Sequence, residues 1–330
     1  MTTVLELAQA LIGGDRRALS KAITLVESSR TVDRAAAREL LAALGPARAP
    51  TFRIGVTGVP GAGKSTLIDV LGREAIRAER RVAVLAVDPS SRRSGGSVLG
   101  DKTRMSRLAA EEAAYVRPSP TLGVMGGIAA RTREVISLCE AAGYDLIFVE
   151  TVGVGQSEEQ VASLVDCVLL VLLAGAGDEI SSMKRGILEA ADVLAFNKAD
   201  GERVATVTND AAALRASLAV SHGERVPPVL VVSALDGVGV PQLWGTLCAH
   251  LAEAESAGTF HERRARQREE WFESALEEAL REAFAHRPGA DQARRSAEAS
   301  VADGTLSPPE AARRLVATVL TGSPQDLEGQ

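Results

Sequence analysis

The sequence predicts an α/β protein, a mostly parallel, doubly wound sheet carrying helical additions at both ends. Three observations predict it. From Phe52 to about His250, short apolar runs of strand character alternate with helical patterns, which places parallel strands under crossover helices. The chain is 46% hydrophobic but only 3% aromatic, so Ala, Val, Leu and Ile must build the core, as in buried parallel strands flanked by Ala-rich helices. The first apolar run leads into a glycine-rich loop and then a helix pattern, the order that a phosphate-holding loop needs.

The elements follow in chain order. Residues 1–50 read as short amphipathic helices, "VLELAQALI", "DRRALSKAITLVES" and "DRAAARELLAAL", closed by the linker "GPARAP". The strand runs are "FRIGVTG", "RVAVLAVD", "LIFVET", "CVLLVLLA", "DVLAFN" and "PPVLVVSA". Past Ser256 the chain turns charged and helical. There Trp271, Phe272, Ala275, Leu276, Ala279, Leu280, Ala283 and Phe284 form an apolar stripe on a long helix. The tail "TGSPQDLEGQ" reads as a frayed end. The expected organisation is a helical extension over 1–50, a central α/β domain over 51–255 and a helical arm over 256–330.

Composition excludes several classes. The net charge of −6, with both signs mixed along the chain, argues against nucleic-acid binding. Cys139, Cys167 and Cys248 are far apart and form no CxxC, so they read as buried, reduced thiols of a reducing compartment. The N-terminus has no basic segment ahead of its apolar run, unlike a signal peptide. The longest apolar run, "CVLLVLLAGAG", is too short to span a bilayer. The expectation is a soluble, cytoplasmic protein with no membrane partner.

"GVTGVPGAGKST" fits G-x-x-x-x-G-K-[ST] with Gly58, Gly63, Lys64 and Ser65. A phosphate needs many donors at close range. The loop Gly58, Pro60, Gly61, Ala62, Gly63 lets the backbone approach and turns its N–H groups inward. The helix that starts at Lys64, Ser65 and Thr66 adds partial positive charge. Lys64 suits the β- and γ-phosphates, and Ser65 suits Mg²⁺.

"FNKAD" ends a later strand. Guanine presents two donors on one edge, and the carboxylate of Asp200 can accept both. Adenine would leave that carboxylate facing a lone pair, at a cost of about 1–3 kcal/mol. Asn197 would tie the base to the loop, and the stem of Lys198 would cover the ring. Ser233, Ala234 and Leu235 of "VSAL" could meet the guanine oxygen through backbone N–H groups. GTP, or GDP, is the nucleotide expected.

"LIFVETVGVGQSE" places Glu150 where most P-loop proteins hold Mg²⁺ with Asp, and Gly153 at the spacing that meets a γ-phosphate through its N–H. Asp88 ends "RVAVLAVD", and Asp101 lies in a Gly- and Ser-rich stretch. Ser65, Asp88, Asp101 and Glu150 are the expected metal shell.

These stretches, with "GGSVLGDKTRM", "AGAGDEI" and "GDRRALSKAITLVES", resemble the methylmalonyl-CoA mutase-associated GTPases, the MeaB/MMAA type, over roughly residues 5–290. The resemblance implies a GTPase chaperone that gates adenosylcobalamin delivery from a cobalamin adenosyltransferase to an acyl-CoA mutase, and that protects the mutase. It implies a homodimer whose arm is the C-terminal helical region. It also implies switch loops at 88–105, at 150–160 and at "AGAGDEISSMKRG", with Asp178 and Lys184 joining Lys64 and Glu150 as the catalytic set. Hydrolysis would be in-line attack of water on the γ-phosphate, helped by positioning and charge. Gln156, Arg92, Arg93 and Arg104 lie near the switches with no role assigned.

The alternatives are a nickel-insertion GTPase, a GTP-dependent scaffold with incidental hydrolysis, a small-substrate kinase and a transport ATPase. Nickel insertion needs metal-relay ligands. The histidines His222, His250, His261 and His286 lie outside the nucleotide loops, and none sits at ligand spacing from a cysteine. The guanine-reading motif disfavours a kinase, and the lack of a membrane segment disfavours a transporter.

Overall fold

The structure, a computed structural model, describes residues 3–28, 30–45, 51–87, 105–119, 127–151, 161–175, 185–222 and 226–321. The chain forms two compact units, Met1–Gln267 and Arg268–Gln330.

The first unit is built on a seven-stranded sheet. Its strands are β1 (Phe52–Gly58), β2 (Val82–Val87), β3 (Ala114–Ser119), β4 (Leu146–Thr151), β5 (Cys167–Leu172), β6 (Val193–Phe196) and β7 (Val229–Val231), in the order β3-β2-β4-β1-β5-β6-β7. Every pairing is parallel, with Val56 opposite Glu150 on one side of β1 and opposite Leu169 on the other. The doubly wound reading therefore holds. β3 is the strand that the apolar runs miss. Its sequence, "AYVRPS", carries an arginine and a proline, and Pro118 has no N–H to give a ladder. Such a strand is tolerated at an edge, which is where it lies.

Alternation along the strands divides the core. Leu146 and Phe148 of β4 join one cluster, and Ile147 and Val149 join the other. The first cluster packs the sheet against α4 (Lys64–Arg77), α5 (Ser106–Ala110), α8 (Val204–His222) and α9 (Val240–Ser256). The second packs it against α6 (Gly127–Ala141) and the N-terminal helices α1 (Val4–Ile12), α2 (Arg16–Glu27) and α3 (Thr31–Leu44). These three match the helices read from the sequence. Thr3 and Glu6 form a capping box at the start of α1, and Asp15 caps α2. α7 (Arg185–Ala190) precedes β6.

α10 (Thr259–Ala285) begins in the first unit and ends in the second. Within the first unit, Arg264 Nη2 donates to Asp166 Oδ2 at 2.7 Å, and Gln267 donates to the Val165 carbonyl at 2.7 Å. The second unit continues with α11 (Ala290–Ala302) and α12 (Pro308–Thr321). On α10, Phe272, Leu276 and Leu280 share a face and are exposed. Among the described residues, no helix is long and apolar enough to cross a membrane.

Candidate functional site

The site gathers at the C-terminal ends of the strands, where open α/β sheets bind ligands. β1 ends at Gly58, whose φ of 138° and close approach to β5 exclude a side chain. A Cβ there would lie 2.0 Å from the Val171 carbonyl oxygen. The loop then turns through Gly63, at φ 85°, into α4. A Cβ on Gly63 would come 2.6 Å from Nδ2 of Asn197, so this glycine lets the loop from β6 pack against the loop from β1.

Asn197 is the junction of three loops. Its Nδ2 donates to the Ala62 carbonyl at 2.8 Å, and its Oδ1 accepts from the Ala234 N–H at 3.1 Å. It is buried, so both bonds are made away from water. Ala199 N–H donates to the Val232 carbonyl, and Lys198 takes a left-handed φ of 63° to carry the chain between these bonds. The sequence assigned Asn197 to tying the base to the loop. Its amide ties the glycine-rich loop to the "SAL" loop, and so sets the spacing between the two halves of the site.

Ser65 Oγ donates to Glu150 Oε1 at 2.7 Å, with both residues buried at the foot of the loop. This brings together two of the four residues expected to hold a metal. A hydroxyl and a carboxylate are hard oxygen donors, the set that suits Mg²⁺, so the residues present fit that ion. Lys64 is buried, and its ammonium donates to the carbonyls of Gly58 at 2.8 Å and Val59 at 3.2 Å. Pro60 and Gly61 of the loop and Thr66 of α4 are exposed, and Leu235 is exposed beside buried Ser233. Asp200 accepts from Arg203, which lies in the 3-10 turn Gly201–Arg203.

Residues 19–288 match the family described as Methylmalonyl Co-A mutase-associated GTPase MeaB. The chain belongs to this family. It is 46% identical over 317 residues to the Mycobacterium tuberculosis protein named "Probable GTPase Rv1496", covering 95% of this chain and 94% of that one. It is 40% identical over 319 residues to the mouse "Methylmalonic aciduria type A homolog, mitochondrial", covering 93% and 77%. The solved structure of the LAO/AO transport system kinase is similar over 96% of this chain and 97% of its own, with a TM-score of 0.71 at 35% identity. This MeaB-family protein is thus a GTPase, and its fold is that of P-loop GTPases.

Several expected residues of the MeaB-family site, namely Asp88, Asp101, Gly153, Asp178 and Lys184, lie outside the described residues, as do Arg92, Arg93, Arg104 and Gln156. Other contacts near the site went unread in the sequence. Buried Asp69 of α4 accepts the Leu108 N–H at 2.9 Å, and Asp210 of α8 accepts the Gly175 N–H at 2.7 Å. Asp69 alone left a signal, a carboxylate inside the apolar helix stretch "LIDVL".

One reading needs correction. No histidine sits at ligand spacing from a cysteine in sequence, yet the fold brings His250 to Cys167 and Asp192, with ligand atoms within 4.8 Å of one another. This cluster lies at the N-terminal ends of β5 and β6, the end of the sheet away from the nucleotide loops. Arg263 Nη1 and Nη2 each donate to Asp192 at 3.1 Å, and the Val168 N–H donates to it at 2.8 Å. The carboxylate already has a cation as partner, and the cluster links α9 and α10 to the sheet.

Proposed function

We propose that this MeaB-family GTPase binds GTP with Mg²⁺ and couples its hydrolysis to the servicing of an adenosylcobalamin-dependent acyl-CoA mutase. The observation that carries the nucleotide half is the Asn197 junction, which fixes the phosphate loop, the "NKAD" segment and the "SAL" loop to one another. The family description, a mutase-associated GTPase, supports the partner half.

In this reading the loop from Gly58 to Gly63 cradles the phosphates through its backbone, and Lys64 turns its ammonium to the β- and γ-phosphates. Ser65 and Glu150 hold Mg²⁺, with Asp88 and Asp101 completing the shell. Mg²⁺ bound there neutralises charge on the phosphate oxygens. Asp200 reads the guanine edge, and Lys198 and the backbone of Ser233–Leu235 complete the base slot. Gly153, Asp178 and Lys184 belong to switch segments that respond to nucleotide and partner. The chain divides into a helical extension over 1–50, a GTPase domain over 51–255 and an arm over 256–330. The exposed stripe Phe272, Leu276 and Leu280 suits that arm as a homodimer contact. A cobalamin adenosyltransferase is the further partner.

The test is GTP hydrolysis by the purified protein with and without a candidate mutase, with ATP as control. Several-fold stimulation confined to GTP is the expected result. Slow GTP turnover that no adenosylcobalamin-dependent acyl-CoA mutase changes would remove the partner half. A preference for ATP would remove the nucleotide half.

A further inference from the structure

The carboxylate that would read the base already has a cation on one of its oxygens. Arg203 Nη2 donates to Asp200 Oδ1. The contact is local and built into the turn. Asp200 starts the 3-10 turn with extended backbone, and the Arg203 N–H closes it on the Asp200 carbonyl at 3.2 Å. The Asp200 side chain is only 13% exposed, whereas that of Arg203 is 57% exposed. The carboxylate is therefore held in place, while the guanidinium can swing into water at little steric cost.

The two oxygens have different consequences for different bases. Guanine offers a ring N–H and an exocyclic amine on one edge, so it engages both oxygens. Hypoxanthine keeps the ring N–H and lacks the amine, so it engages one. A guanidinium on Oδ1 opposes the second bond and leaves the other oxygen available for the first. We infer that Arg203 sets base specificity by competing for the Asp200 carboxylate: guanine's second bond must share or displace it, and hypoxanthine's single bond need not. Arg203 thus lowers the preference for guanine over hypoxanthine below the value that Asp200 alone would produce. The inference rests on the reading of Asp200 as the guanine acceptor.

The size of the effect follows from the exposure of the pair. A pair with one partner largely in water changes an equilibrium by about two- to fivefold, and salt screens it. The experiment measures GDP, IDP and ADP affinities of the full chain by calorimetry, for the parent and for Arg203→Ala. The expected result is a GDP affinity that tightens about two- to fivefold in Arg203→Ala while IDP stays unchanged. In the parent, the ratio of GDP to IDP affinity should rise with salt, because the shared phosphates cancel in the ratio. In Arg203→Ala that ratio should lose its salt dependence. If GDP and IDP change by the same factor in the variant, Arg203 does not discriminate and the inference is overturned while the guanine reading stands. If the parent binds ADP as well as GDP, the reading of Asp200 falls and the inference falls with it.

Discussion

At the residue scale, a few buried polar side chains hold the site together. Asn197 matters through geometry, since one amide satisfies the Ala62 carbonyl and the Ala234 N–H, which lie on different loops. Asn197→Ala strands two buried backbone groups, each at a cost of about 1–3 kcal/mol. The expected outcome is a lower melting temperature together with a GDP affinity weakened about tenfold or more, read by scanning calorimetry and titration. An unchanged GDP affinity would show that the loops keep their spacing without it. Cys139 and Cys167 are buried as the sequence suggested, whereas Cys248 is only half-buried. Burial pushes the Cys139 and Cys167 thiols far above the ordinary value of 9.0. A value raised by folding gives stability that is complete below the unfolded thiol's pKa and is lost as pH climbs above it. Unfolding should therefore become easier above pH 9.0, by about 1.4 kcal/mol per pH unit for each thiol. The stability gap between the parent and Cys139→Ala should narrow above that pH in urea titrations, and a constant gap would contradict it.

At the scale of elements, both ends of the sheet are secured, by different means. At the C-terminal ends, loops are tied by side-chain hydrogen bonds of Asn197, Lys64 and Asp210 and by close approaches that glycine permits. At the N-terminal ends, a buried ionic network does the tying. Asp166 accepts from the Arg53 N–H at 2.8 Å and from Arg264 Nη2 at 2.7 Å, and Arg53 pairs with Glu140 at 2.7 Å. Burial lowers the Arg53 pKa, with Glu140 opposing it. Burial also acts against Arg264, but its hydrogen bond and charge contact with Asp166 outweigh that and raise its pKa. The network anchors the first turns of α10 to β1 and β5. Removing one partner of such a pair costs about 3–5 kcal/mol, because the other charge stays buried, whereas removing both costs much less. Asp166→Asn should thus destabilise strongly, and Asp166→Asn with Arg264→Met should recover part of the loss in a double-mutant cycle. Strictly additive losses would mean that the pair is not coupled.

At the scale of the whole molecule, the exposed stripe on α10 bears on association. Phe272 is 63% exposed and Leu280 is 60% exposed, on the face where a second copy would dock in the proposed homodimer. Phe272→Glu combined with Leu280→Glu should convert a two-chain species to a single chain in sedimentation and leave GDP affinity unchanged. A two-chain species that survives both substitutions would place the interface elsewhere.

Local and periodic features are written in the sequence. Helices α1 to α3, the six apolar strands and the glycine loop are legible because each depends on residues close in the chain: caps, period-two runs and fixed spacings. The N-K-x-D segment was legible for the same reason. Contacts between residues far apart in sequence are set by the folded chain alone. These include the edge strand β3, whose arginine and proline hide it from any apolar pattern, and the double duty of Asn197. They include the meeting of Cys167, Asp192 and His250, and the hold of Asp69 on Leu108. Each arises because a parallel sheet aligns the ends of strands that the chain visits at long intervals, and no local pattern records which ends become neighbours.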